Sequence, residues 1–194
     1  AKQALIEKLK AAKVGLNTAG QGQKIPKRLD PQKPSALSFA QQRLWFLDQL
    51  EGPSATYNMP SAIELIGPLN IRVLEKVFTE LCNRHESLRT NFINIDGEPF
   101  QIIRNKFNIE IPNINLENLN EDLQKSEYEK IAREFSQTTF NLENEKLFRV
   151  KLIRLHEQRH IVLLVIHHII SDGWSNGNVM LREICSLYES FSNN

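Results

Sequence analysis

The chain has 194 residues, 41% of them hydrophobic and 24% charged, which is the composition of a globular domain and excludes an intrinsically disordered chain. The first 33 residues hold eight Lys/Arg and two Asp/Glu, whereas the remainder holds sixteen and twenty-one, and such an acidic body argues against a nucleic-acid surface. The longest apolar run, Ile161–Ile166, is far shorter than the ~20 residues of a membrane helix. With no secretory core at the start, we expect a cytoplasmic protein without membrane contact.

Residues 1–33 predict a short amphipathic helix followed by a linker rich in Gly, Gln, Lys and Pro, and a docking segment is the alternative. The first residue is Ala and not Met, so we expect a piece of a longer protein. The compact domain is predicted to comprise residues 34–194. Its two cysteines, Cys82 and Cys185, are too few for a disulfide framework and are expected to be buried free thiols.

Within the compact domain, hydrophobic periodicity predicts helices alternating with strands. The first helix, which Ser38 would cap, should turn Leu44, Trp45 and Leu47 towards the core. The predicted helices span 39–50, 70–84, 121–135 and 175–191, and the predicted strands span 57–66, 88–95, 100–104, 109–116, 147–155 and 160–167. Residues 160–167 are apolar on both faces, so this strand should be central in its sheet. The fold class is therefore α/β, a sandwich with a mixed, largely antiparallel sheet and helices packed on it.

The end of that central strand carries the residues with the clearest chemical potential, HHIISDGWSNG at 167–177. Because successive strand side chains point to opposite faces, His167 and His168 should diverge, which is poor geometry for a shared metal. His156 and His160 could approach each other across the preceding turn, but no cysteine or acidic cluster joins them. We therefore expect no metal.

The same stretch also fits G-x-S-x-G, with Ser175 at the position of a hydrolase nucleophile between a strand and a helix. That triad continues with an acid and then a histidine. After Ser175 the chain contains Glu183 and Glu189 but no histidine or aspartate, so it cannot complete the triad in that order.

HHIISDG resembles the His-His-x-x-x-Asp-Gly signature of acyltransferases similar to chloramphenicol acetyltransferase, which include the condensation domains of nonribosomal peptide synthetases. Two other stretches, SFAQQRLWFL at 38–47 and RHESLRTNF at 84–92, match condensation-domain motifs at every fixed position. Around the signature, IHHIISDGWS departs only at Ile166, where Met is usual. The resemblance covers residues from about 34 onwards and only the first of the two lobes of such a domain. It looks most like the subtype that joins an L-residue donor to an L-residue acceptor.

The resemblance implies amide-bond formation between two thioesters held on carrier proteins, with His168 as the catalytic residue, acting either as general base or by positioning the amine. His167 would be structural, its ring hydrogen-bonded inward. Asp172 would brace the loop through a buried ion pair with Arg84 or, alternatively, Arg89.

The resemblance also implies roles for the residues around these. Gly173 would leave room for a phosphopantetheine arm, and Trp174 and Ser175 would line a tunnel or cap the last helix. Gln41 and Arg43 are the polar residues of the first motif, and Glu86 is the residue of the second motif for which a plain surface charge is the alternative.

The implied partners are an upstream and a downstream peptidyl carrier domain, the C-terminal lobe, and the adenylation domain of the same module. No cofactor would bind directly, since the substrates arrive on the phosphopantetheine of the carriers, and the isolated lobe should be inactive. A free-standing acyltransferase with the same signature, an epimerisation or cyclisation relative, and a non-catalytic platform for carrier proteins are the alternatives.

Overall fold

The structure, a computed structural model, describes residue 30 and residues 33–193. The helix and linker predicted within residues 1–33 lie almost entirely outside the described residues. The strands are β1 (Ser35–Ala36), β2 (Asn58–Ile66), β3 (Thr90–Ile95), β4 (Glu98–Ile103), β5 (Asn113–Asn115), β6 (Phe148–His156) and β7 (Arg159–His167). The α-helices are α1 (Phe39–Glu51), α2 (Ile71–Arg84), α3 (Glu121–Gln137) and α4 (Leu181–Ser192), and a π-helical segment, Ser175–Met180, precedes α4.

The larger sheet has the order β2-β7-β6-β5, in which β7 is antiparallel to both of its neighbours. Eight of the nine residues of β7 are buried, which agrees with its apolar sequence and confirms its predicted central position. Only β5 runs parallel to its neighbour, β6. The smaller sheet, β1-β4-β3, contains the hairpin predicted around Asp96-Gly97. Both turn residues have positive φ, 53° and 90°, as a two-residue turn of this kind requires.

Helices cover both faces of the larger sheet. On one face, Phe78 and Leu81 of α2 and Ile184 of α4 pack with Leu152 and Leu164. On the other face, Ile131 of α3 packs with the alternate strand residues Ile153 and Leu163. Because neighbouring strand residues point in opposite directions, the two clusters lie on opposite sides, and the predicted α/β sandwich is confirmed.

Helix α1 is less buried than its sequence predicts. Ser38 forms a capping box with Gln41, as expected for the N-cap. Leu44 and Trp45 reach the core only in part, and no residue of α1 is fully buried. The outer face of the helix exposes Phe39, Phe46 and Leu50. The placement of the α1 side chains in the core was therefore wrong in degree, because α1 packs on the domain with one narrow edge.

The strand predicted over 109–116 is paired only at Asn113–Asn115. Before it, the backbone N–H groups of Phe107, Ile109 and Ile111 donate to side chains of α2. The acceptors are Asn83, Thr79 and Glu75, one on each successive turn of that helix. The isoleucines of this segment are buried, so its apolar pattern was strand-like although its hydrogen bonds go to a helix.

The two cysteines differ in burial. Cys82 is buried as predicted, whereas Cys185 is exposed on α4, so that part of the expectation was wrong. Within the described part of the chain, no helix combines the length and the apolar character that a bilayer crossing needs.

Candidate active site at the end of strand β7

His167 is the last residue of β7 and its side chain is 3% exposed. Its backbone N–H donates to the carbonyl oxygen of Leu147, which keeps the strand end in the sheet. The imidazole Nδ1 accepts the N–H of Ile169 at 3.2 Å. Since a backbone N–H can only donate, Nδ1 is unprotonated and the proton of the neutral ring is on Nε2.

Burial holds His167 in its neutral form. Desolvation, with a smaller contribution from His168, lowers the pKa of His167 to about 4. The ring of Phe140 meets it edge-on with centroids 6.0 Å apart, and the ring of Tyr57 lies 6.3 Å away at a tilt. At neutral pH this histidine is therefore an uncharged, buried ring among aromatic neighbours.

His168 is exposed, although it follows a buried residue directly. Its backbone N–H donates to the carbonyl oxygen of Tyr57 at 2.8 Å, which fixes the point where the chain leaves the sheet. Its Nδ1 lies 2.7 Å from the carbonyl oxygen of Ser171. A carbonyl can only accept, so Nδ1 carries the proton and Nε2 of the neutral ring keeps its lone pair. Two adjacent histidines thus have opposite tautomers, and the exposed ring offers a free basic nitrogen.

Asp172 does not form the predicted buried ion pair. Its carboxylate is exposed, and its Oδ1 accepts the backbone N–H of Ser175 at 2.7 Å. Hydrogen bonds from Ser175, first from its hydroxyl and then from its backbone, hold the pKa of Asp172 below its ordinary value. The chain becomes helical at Gly173, so Asp172 is an N-cap whose carboxylate satisfies a free N–H of the first turn. This local role replaces the predicted long-range one.

The two candidate arginine partners bind other acids. Arg84 lies 3.1 Å from Glu80 on its own helix and 3.8 Å from Glu183 on α4. Arg89 lies 3.5 Å from Glu86 and donates at 2.7 Å to the carbonyl oxygen of Arg104. Neither arginine has an ion pair to Asp172 in the described part of the chain, so the choice between them no longer arises.

The residues after Asp172 border two cavities. Gly173 lines an apolar cavity of about 320 Å³ between β2 and the last helix. A Cβ added at Gly173 would meet no atom of the described chain within 4 Å, so the packing of the described residues leaves this position open. Ser175 lines a smaller cavity of about 110 Å³ together with His85 and Ser171. Trp174 is 71% exposed.

A metal site does not assemble in the described residues. Residues 33–193, with residue 30, contain no cluster of three or more His, Cys, Asp or Glu that could hold a metal ion. In the G-x-S-x-G stretch, Ser175 contacts Asp172 through its backbone N–H, which donates to Oδ1 at 2.7 Å. His85, which lines the same cavity as Ser175, pairs with an acid: its Nε2 lies 2.7 Å from the carboxylate of Glu183. This pair links α2 to α4.

Most of the chain matches a known protein family. A family model described as "Condensation domain" matches residues 32–194, most of the chain. The chain belongs to the condensation domain family.

Similar proteins are nonribosomal peptide synthetases and related synthases. The chain is 46% identical over 155 residues to a linear gramicidin synthase of Brevibacillus parabrevis, a match that covers 80% of the chain and 3% of that protein. It is 42% identical over 157 residues to chondramide synthase of Chondromyces crocatus, covering 80% of the chain and 4% of that protein. The chain therefore spans only a few per cent of the length of the curated relatives it matches.

Solved condensation domains share the fold. The starter condensation domain of rhizomide synthetase matches with a TM-score of 0.76 at 22% identity, over 83% of this chain and 38% of that one. The first condensation domain of the CDA synthetase matches with a TM-score of 0.75 at 21% identity, over 83% and 41%. The described fold is therefore that of part of a condensation domain, and less than half of those chains is represented.

Sequence reasoning missed the groups that set the geometry of the two histidines. The carbonyl oxygens of Ser171 and Tyr57 are backbone atoms, and no residue type signals them. Phe140 contacts His167 from 27 positions away in the chain, which no local pattern shows. The capping role of Asp172 had a signal, because an aspartate directly before a helix is a favoured N-cap.

Proposed function

We propose that this chain contributes the catalytic histidine loop of a condensation domain that forms an amide bond between two carrier-bound thioesters. The observation that carries the proposal is the exposed ring of His168, whose Nδ1 proton is bound to the carbonyl oxygen of Ser171, so that Nε2 of the neutral ring has no proton. This ring belongs to a chain of the condensation domain family. His168 is the proposed catalytic residue, and His167, Asp172 and Gly173 support it.

The chemistry follows from a free Nε2 beside an activated acyl group. The acceptor amine attacks the carbonyl carbon of the donor thioester, so that a C–N bond forms and the C–S bond breaks. The amine loses a proton, which Nε2 of His168 accepts or orients, and the departing pantetheine sulfur leaves as a thiol after it gains a proton. Holding both reactants in line is the larger task, since a thioester needs no further activation.

The substrates would arrive on phosphopantetheine arms of an upstream and a downstream carrier domain. The open space beside Gly173 supports this, because the described chain itself does not need a glycine there. A requirement for glycine at this position would come from a molecule that enters the space, such as an arm. The donor and acceptor are proposed to be L-residues, as the motifs of the sequence indicate.

The chain supplies only part of the reaction cleft. It represents about two fifths of the solved condensation domains that it matches, so we propose that the isolated chain is inactive and needs a C-terminal lobe. Its further partners would be the carrier domains and the adenylation domain of the same module. We propose a cytoplasmic location.

The decisive experiment compares variants of the complete domain with donor-loaded and acceptor-loaded carriers, and mass spectrometry detects the dipeptidyl carrier. His168→Ala should reduce its formation by about 10² to 10⁴-fold, the range of a lost acid–base group. His156→Ala is the matched control, since His156 is also exposed but lies at the β6–β7 turn. Unchanged turnover in His168→Ala would remove this residue from its role.

Two alternatives are separated by the same assay. A free-standing acyltransferase would transfer an acyl group to a small free amine without an acceptor carrier. A non-catalytic platform would bind carriers equally well with or without His168 and form no product. Product from the isolated 194-residue chain would overturn the proposal that it is inactive alone.

A further inference from the structure

The segment 136–140, which comprises the last two residues of α3 and the three that follow towards β6, touches the structural histidine of the site. Its last residue, Phe140, is 2% exposed, and its ring meets the His167 ring at 86° with the centroids 6.0 Å apart. Phe140 is therefore part of the wall that keeps water from His167, and its position depends on how the segment 136–140 is held.

Arg149 holds this segment from the neighbouring strand β6. Its Nη1 donates to the carbonyl oxygen of Thr138 at 3.0 Å, and its Nη2 donates to that of Thr139 at 2.7 Å. The guanidinium carbon lies 3.9 Å from the centre of the Phe140 ring, and Nη2 also donates to the carboxylate of Glu145 at 2.6 Å. One side chain thus contacts three consecutive residues, and it is 23% exposed.

Asn58 holds the same segment from the other side. It lies opposite His167 in the register of β2 and β7. Its Nδ2 donates to the carbonyl oxygens of Ser136 at 2.7 Å and Thr138 at 3.0 Å. The carbonyl of Thr138 therefore accepts from both Asn58 and Arg149, and β2 and β6, which both run beside β7, share one attachment point.

We propose that Arg149 is a positioning residue of the condensation reaction. By holding Thr138 and Thr139 it keeps Phe140 against His167, and so fixes the backbone from which His168 projects. Asn58 supports it from β2. The catalytic part of this inference rests on the proposed function, whereas the structural part, from Arg149 to His167, does not.

The guanidinium group suits this task better than an ammonium would. Its planar fork donates to two carbonyl oxygens in fixed directions and stacks on an aromatic ring at once, which a point charge cannot do. A displacement of about 1 Å in a reacting group, caused by a change far from the chemistry, can cost about 10²-fold in rate. The link is short, because His167 and His168 are adjacent.

The test uses Arg149→Met and Arg149→Lys, with Arg154→Met as the matched control. Arg154 lies on the same strand and binds Glu117, away from the 136–140 segment. In the complete domain, Arg149→Met should lower kcat by about 10- to 100-fold without a matching change in KM for the carriers. Arg149→Lys should lower kcat by a smaller factor than Arg149→Met, and Arg154→Met should retain the parent kcat.

The second readout is the imidazole titration of His167, followed by NMR in the 194-residue chain. In Arg149→Met, water should reach the ring, and the pKa of His167 should rise from about 4 towards its ordinary value. Phe140→Leu, which keeps an apolar side chain but removes the ring edge, should shift the titration in the same direction. Arg154→Met should leave it unchanged.

Thermal melts of each variant separate this role from a general loss of stability. An equal fall of kcat in Arg149→Met and Arg154→Met would overturn the proposal, as would an unchanged His167 titration in both Arg149→Met and Phe140→Leu. If His168→Ala retains full activity, the proposed function fails. The titration would still decide whether Arg149 orders the surroundings of His167.

Discussion

Nδ1 of His168 lies 2.7 Å from the carbonyl oxygen of Ser171, three residues further along the chain. The contact closes a small loop at the end of β7 and assigns the ring proton to the nitrogen that faces the backbone. The other nitrogen of the neutral ring then has no proton. One residue earlier, Nδ1 of His167 accepts an N–H and has no proton, so the two rings are distinguished by backbone atoms alone.

The tautomers can be observed directly. At neutral pH, ¹⁵N spectra of histidine-labelled chain should show a protonated Nδ1 and an unprotonated Nε2 in the neutral ring of His168, and the reverse assignment in His167. Variants in which either histidine becomes Gln would assign the signals. A His168 ring with its proton on Nε2 would contradict the bond to Ser171 and remove the free nitrogen.

Acid should destabilise the chain through His167. In the unfolded chain this histidine takes a proton near its ordinary pKa of 6.5, whereas in the folded chain it remains neutral until about 4. As the pH falls from 6.5 to 4 the unfolded state binds the proton first, and the free energy of unfolding should fall by about 3 kcal/mol. Urea unfolding at several pH values measures this loss.

Variants of single histidines show how much of the stability lost in acid comes from His167. His167→Gln should lose less stability between pH 7 and pH 4 than the parent chain. His160 should contribute with the same sign, since burial first and then Arg154 lower its pKa. His156→Gln, which changes an exposed histidine, is the control for the substitution itself. Parallel curves for the parent and His167→Gln would mean that His167 is not held neutral by the fold.

Asp172 should behave as a helix cap and not as one half of a buried ion pair. Asp172→Ala removes the acceptor for the Ser175 N–H and should lower the Tm by about 2–4 °C, the scale of a lost N-cap in a domain of this size. Asp172→Asn and Asp172→Ser keep a capping oxygen and should recover most of the loss. The double variant Asp172→Ala, Arg84→Ala should show additive changes in Tm, and strong coupling would restore the ion pair.

Truncation of a phenylalanine to alanine should be costly in the core and nearly neutral on the outer face of α1. Phe78 is fully buried in the larger cluster, and Phe78→Ala should cost about 3–5 kcal/mol of unfolding free energy. Phe39 is 91% exposed, and Phe39→Ala should change the stability of this chain by no more than about 0.5 kcal/mol. Urea denaturation of both variants gives the comparison. A large loss in Phe39→Ala would mean that α1 is buried in solution.

The fold was largely predictable because its signals are local. The continuous apolar run of residues 161–166, the Asp96-Gly97 turn and the Ser38 cap each lie within a few residues of what they specify. The segment 107–111 was predicted less well, because its hydrogen bonds end on side chains of α2 and not on a strand. An apolar pattern reports burial and says nothing about the bonding partner.

The orientation of the two histidines was predictable, whereas the contacts of the residues around them were less so. Strand alternation predicted that His167 and His168 would diverge, and one ring is buried while the other is exposed. The predicted partner of Asp172 was wrong. A helix starts at the next residue, and its free N–H groups are closer to the carboxylate than either arginine is. The π-helical turn at Ser175–Met180 had no signal in the sequence.

The bonds that attach residues 136–139 beside His167 all end on main-chain oxygen atoms. Every amino acid, proline included, carries that oxygen, so the attachment places no demand on which side chains occupy these positions. Ser136, Thr138 and Thr139 should therefore tolerate replacement more broadly than Asn58 and Arg149, although the hydroxyls of Ser136 and Thr138 also donate to carbonyl oxygens of α3. A saturation library over these five positions would show whether the donor side chains resist replacement more than the residues that supply acceptor oxygens. A stretch that accepts many side chains would be suited to recombination between related synthetases.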